Sequence, residues 1–149
     1  MLLSLLVTHA APIQWPVRLG TNWLICPALT RILQDNLNFL AWSTCVAKCG
    51  TNDPKWQWKA GMNQQGNISL GNNSDRYNIE QAQFLKISDV TDGDNGTLYK
   101  CTVSYFNNRN RTSLAQESDH FHLLFKQKEG NIHTYTNRKK NKKFIWFSV

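Results

Sequence analysis

Four cysteines are the residues of this 149-residue chain best able to make or hold bonds: Cys26, Cys45, Cys49 and Cys101. Cys45 and Cys49 stand four apart, a spacing that suits a local bridge, a bond to a second chain, or two of the four ligands of a zinc ion. Zinc would need two more well-placed ligands. His120 and His122 could supply half of a metal site, yet no carboxylate or cysteine motif completes it, so two surface histidines on an edge strand are expected. Asp89, Asp92 and Asp94 superficially form a calcium loop. Aligning Gly96 with the EF-hand glycine, however, puts Thr91 and Gly93 at the first and third ligand positions and Thr102 where the bidentate glutamate belongs. No metal and no cofactor are therefore expected. Nor is an enzyme: no serine sits in a Gly-x-Ser-x-Gly elbow, and no glycine-rich phosphate loop opens a helix.

Four Asn-x-Ser/Thr sequons, at Asn67, Asn72, Asn95 and Asn110, join the cysteines in pointing to the secretory pathway, where disulfides persist and free thiolates are disfavoured. Residues 1–11 read as a short or truncated signal peptide: Leu2 to Val7 is apolar and Thr8-His9-Ala10-Ala11 offers small residues for cleavage, without a basic flank. No stretch approaches the roughly 18 apolar residues of a membrane span. A secreted chain, or one on the extracellular side of the plasma membrane, is expected, with no anchor in this sequence.

The net charge of +7 suggests nucleic acid until it is located. From Lys126 to Lys143 seven Lys/Arg stand against one acid, Glu129, so nearly all the excess belongs to the end of the chain. Residues 128–149 read as a basic, disordered tail. Arg138-Lys139-Lys140-Asn141-Lys142-Lys143 could hold heparan-type glycosaminoglycan by counterion release, or merely solubilise. No aromatic is interleaved among these lysines to stack bases, so nucleic acid is not expected as a partner.

Between the termini, short segments with period-2 alternation recur, broken by Asn/Asp/Gly clusters, and no helical stripe competes with them. Strands are expected at Trp23–Cys26, ended by Pro27, and at Asn38–Trp42, Lys55–Lys59, Arg76–Ile79, Phe84–Ile87, Tyr99–Tyr105 and Phe121–Phe125. Gly61 to Ser74 reads as an exposed loop, and Asn107 to Asp119 as a long one.

Cys26, Trp42, the Leu85/Ile87/Val90 triplet, Asp94, Gly96, Tyr99 and Cys101 resemble the immunoglobulin superfamily signature over roughly residues 14–127. The resemblance implies an all-β, immunoglobulin-like antiparallel β-sandwich of Greek-key type, spanning residues 12–127. It implies a B–F inter-sheet disulfide between Cys26 and Cys101, Trp42 packed on it, Tyr99 at a corner, and an Arg76–Asp94 pair closing the base. One departure is Leu98, an extra residue between Gly96 and Tyr99, for which a β-bulge is expected. Ile25-Cys26-Pro27, the extra cysteines after Trp42, Asp94-Asn95-Gly96 and Phe106-Asn107 are similar to the B- and T-lymphocyte attenuator family. Ser43 departs from that family, which has a cysteine there. This likeness implies an inhibitory immune receptor that binds a TNF-receptor-family protein.

Two docking surfaces suggest themselves. Trp56 and Trp58 alternate on one face of an edge strand, and indoles are enriched at interface hot spots. Phe121, Leu123 and Phe125 lie on the last strand, whose edge could recruit a partner by strand addition. A receptor-type recognition domain binding a protein ligand is the leading expectation; a secreted basic factor binding polyanions through its tail is the alternative.

Overall fold

Alternation of apolar and polar residues, with β-branched and aromatic side chains on one side, makes each strand bury one face and leaves two sheets to be packed together. A computed structural model describes residues 11–72, 74–107 and 112–125. The expected signal peptide (Ala11 apart), the Asn110 sequon and the basic tail 128–149 lie outside them.

The strands are β1 (Ile13–Val17), β2 (Gly20–Ile25), β3 (Leu37–Ala47), β4 (Lys55–Asn63), β5 (Ile68–Leu70), β6 (Tyr77–Glu80), β7 (Phe84–Val90), β8 (Leu98–Phe106) and β9 (Leu114–Phe125). One sheet has the order β1-β9-β8-β3-β4-β5 and the other β2-β7-β6. All pairings are antiparallel except β1 with β9. A single helical turn, α1 (Pro27–Thr30), begins where Pro27 stops β2.

Leu24, Cys26, Leu40, Trp42, Leu85, Ile87, Tyr99, Cys101, Val103, Phe121 and Leu123 are fully buried between the sheets. Each large apolar side chain so placed contributes roughly 1.5–3 kcal/mol. Cys26 and Cys101 are bonded across the core, and Cys45, near the end of β3, is bonded to Cys49 just beyond it. Trp42 packs on Phe121 with ring centroids 5.6 Å apart, and its Nε1 is buried without a hydrogen-bond partner.

Several expectations need correction. β1 is not among the expected strands: Pro16 interrupts the alternation of Ile13, Trp15 and Val17, yet an edge strand tolerates it. β9 begins at Leu114 rather than Phe121; its first half reads as loop because its inward groups, Glu117 and Asp119, are held by Arg31 instead of an apolar core. Gly61 to Ser74 is not one loop. β4 continues to Asn63 and turns into β5, and Asn63 Oδ1 accepts from the N–H groups of Gln65 and Asn67 to hold that turn. Gly61 lies under the Phe39 ring, whose edge would have to shift to admit a Cβ. The bulge sits one step earlier than Leu98. The Gly96 N–H donates to Leu123 O and the Leu123 N–H to Thr97 O, so two residues oppose one, with Gly96 at φ +82°, and the register is unbroken from Leu98 onward.

Candidate functional site

The outer face of the six-stranded sheet follows from its buried neighbours. Trp42 and Thr44 are buried on β3, so Ser43 and Cys45 face out; Tyr99 and Cys101 are buried on β8, so Lys100 faces out; Phe121 is buried on β9, so His120 faces out. β4 needs a further device. Its register runs from Trp42↔Ala60 to Ser43↔Trp58, leaving Lys59 as an extra residue. Without that bulge Trp58 and Trp56 would share the inward face of Ala60; with it both point outward beside Ser43 and Cys45.

Trp56, opposite Cys45 in the register, turns its indole across β3 toward β8 and β9. Its ring is 5.5 Å from that of His120 on β9, and Lys100 Nζ stands 4.5 Å from its centroid. These contacts leave Trp56 half-buried, while Trp58 is 38% exposed. Lys100 has no salt-bridge partner among the described residues. Burial holds its ammonium below the ordinary lysine range. Burial first, and the Lys100 charge second, hold His120 below the ordinary histidine value against a weaker opposing pull from Asp119. The arrangement is chemically a cation and an imidazole against a half-buried indole, with a second, exposed indole beside it.

Elsewhere the charged groups serve the fold. Arg76 closes the base: its guanidinium donates to Asp94 at 3.1 and 2.9 Å and to Ser88 O at 3.1 Å. The hydrogen bond to Asp94 raises the Arg76 pKa. Asp94 is also the third residue of a capping box with Thr91, which accounts for the acidic turn. Arg31 pairs with Glu117 and Asp119 at 3.0 and 3.1 Å, and Asp119 accepts the Ala28 N–H. Asp119 also approaches the Cys26 and Cys101 sulfurs, but those are bonded to each other and supply no thiolate for a metal. Tyr99 O–H meets Tyr77 O–H at 2.9 Å, and burial raises both phenols.

The residues singled out on the last strand are placed differently from expectation. Phe121 and Leu123 are core residues, and Phe125 is half-buried against that core, so none forms an exposed docking stripe. Nor is Phe121 to Phe125 an open edge, since β1 pairs with it residue for residue. Asn67, Asn72 and Asn95 are exposed and lie outside the strands, before β5, after β5 and before β8, and Asn95 Oδ1 accepts the Phe125 N–H of β9. Sequence reasoning missed Lys100; the alternation Tyr99-Lys100-Cys101 carried the signal that it faces outward.

No family model matches the sequence, and no curated protein matches it. Solved structures do. A structure of two tandem V-type regions of VCBP3, a v-region-containing chitin binding protein, superposes with a TM-score of 0.55 at 15% identity, covering 77% of this chain and 44% of that one. The chain thus spans less than half of that two-region structure. Murine CRIg superposes with a TM-score of 0.57 at 12% identity, covering 80% of this chain and 98% of that one. The fold is an immunoglobulin sandwich of V type.

Proposed function

We propose that this chain is an extracellular recognition domain of an immune receptor, which docks a protein ligand on the outer face of its six-stranded sheet. One observation carries the reading: the β4 bulge turns two tryptophans outward on a sheet face, where they are of no use to the core. Indoles bury much area at little entropic cost, and polar strands surround them. The exposed sequons at Asn67, Asn72 and Asn95 would carry glycans on the segments between strands rather than on the strands that present the indoles. Among the described residues no helix is long and apolar enough to cross a membrane. The likeness to the B- and T-lymphocyte attenuator family supports the finer form of the proposal, an inhibitory receptor with a TNF-receptor-family ligand.

The rival is a basic factor that holds glycosaminoglycan through Arg138 to Lys143, favoured by the charge concentrated there. Binding of the multimerised full chain to a panel of immune-receptor ectodomains, TNF-receptor family included, separates the two. Trp56→Ala/Trp58→Ala should abolish saturable capture, while replacing the five basic residues of Arg138–Lys143 by Gln should leave it intact. Capture that ignores the indoles but dissolves with the tail charge, or in moderate salt, would establish the rival.

A further inference from the structure

We infer that the partner of this face presents an acidic segment whose carboxylates land on Lys100 beside the Trp56 indole. This rests on the docking face proposed above and specifies the chemistry of what covers it. Lys100 is a half-buried cation, 4.5 Å from the Trp56 centroid, with no salt-bridge partner among the described residues. A cation already stripped of part of its water gains more from an incoming carboxylate than a solvated lysine does, because the field between them is less screened.

The surroundings supply no competing acid. Facing Lys100 are His120 on β9, Ser43 on β3 and the ring of Trp56 on β4; Ser118, elsewhere on β9, faces Thr102, and His122 faces Leu98. At the β3–β4 turn Lys48 and Lys55 share the single carboxylate of Asp53. Glu117 and Asp119 of β9 are held by Arg31 on the other side of the strand. A second copy of the chain would bring the same positive face against this one, which repels. Charge complementarity therefore selects an acidic protein segment, with apolar side chains between the acids to meet the indoles. His120 adds a consequence: its protonation places another positive charge on the face, so binding strengthens as the pH falls below the ordinary histidine value.

The test uses the full chain with 15N-labelled tryptophan. The Trp56 and Trp58 indole N–H resonances, assigned by Trp56→Phe and Trp58→Phe, are followed during titration with three probes. These are an acetylated Asp-Tyr-Glu-Leu-Asp-Glu peptide, its Asn/Gln counterpart, and a heparin octasaccharide. The acidic peptide should shift both indoles saturably. Affinity should fall about tenfold or more for the neutral peptide and for Lys100→Gln, and be retained in Lys100→Arg. It should be higher at about pH 5 than at about pH 8, because His120 takes up its proton below the ordinary histidine value. Equal shifts with the neutral peptide, indole shifts driven by chain concentration alone, displacement of the peptide from the indoles by heparin, or no indole shift at all would each overturn the inference. Failure of the docking-face reading itself shows elsewhere, as partner capture that survives Trp56→Ala/Trp58→Ala.

Discussion

At the level of single residues, the groups legible in the sequence are those whose chemistry leaves few alternatives. Arg76 and Asp94 are an example: a guanidinium that donates twice to one carboxylate and also to the carbonyls of Ser88 and Asp89 cannot be imitated by an ammonium. Arg76→Lys should cost roughly 1–2 kcal/mol, and Arg76→Ala somewhat more, since it also leaves Ser88 O short of a donor. Urea denaturation read by tryptophan fluorescence would measure both. Tyr99 makes a second prediction. Its phenol is held well above the ordinary tyrosine range, chiefly by burial. A raised folded value means that the neutral phenol's contribution is full below about pH 10, the unfolded value, and is lost as the pH climbs above it. Tyr99→Phe should cost about 1 kcal/mol at neutral pH by orphaning Tyr77 O–H, and should soften the alkaline unfolding limb. His120 acts oppositely: its folded value is depressed, so stability falls as the pH drops from about 6.5 through that value. A His120→Gln chain should lack that part of the acid limb.

At the level of elements, legibility tracked apolar alternation. β2, β3, β7 and β8 announce themselves through Leu24, Leu40, Trp42, Leu85, Ile87, Tyr99 and Cys101, all wholly buried. β1 alternates Ile13, Trp15 and Val17 but is interrupted by Pro16, β5 is only three residues long, and the first half of β9 turns Glu117 and Asp119 toward an ion-pair cluster, so each looks like a loop when its partner is unknown. The docking face was half legible. Two indoles at alternate positions were visible, but the bulge at Lys59, which decides their side, arises from pairing with β3 and leaves no mark in β4 alone. The Gly96 bulge is different, since an extra residue beside a glycine was readable. With Gly96 at φ +82° and open space around its Cα, Gly96→Ala meets no steric neighbour, only backbone strain. It should therefore cost about 1–2 kcal/mol and, by disturbing the Leu123 pairing, loosen β1 and β9 together. Hydrogen exchange at Leu123 and Phe125 would show that loosening; unchanged protection there would mean that the bulge is not what ties Gly96 to β9.

For the molecule as a whole, the two disulfides divide stability from function. Cys26–Cys101 spans a sequence separation of 75 and Cys45–Cys49 one of only 4. In the chain-entropy account those loops are worth about 4.5 and about 2 kcal/mol respectively. A domain of this size holds roughly 5–15 kcal/mol in total, so Cys26→Ala/Cys101→Ala should leave it near the edge of unfolding, whereas Cys45→Ser/Cys49→Ser should leave it folded. The second bridge has another consequence. It closes on β3 beside Cys45↔Trp56, where the register shift between Cys45 and Ala47 begins, and so fixes how the β3–β4 turn enters the strand that presents both indoles. Its loss should therefore weaken ligand capture by a larger factor than its cost in stability explains. Guanidinium unfolding and ectodomain capture on the same Cys45→Ser/Cys49→Ser chain would decide this. Capture that declines only in proportion to the folded fraction would make the short bridge a stabiliser alone, while capture lost from a fully folded chain would make it the support of the recognition face.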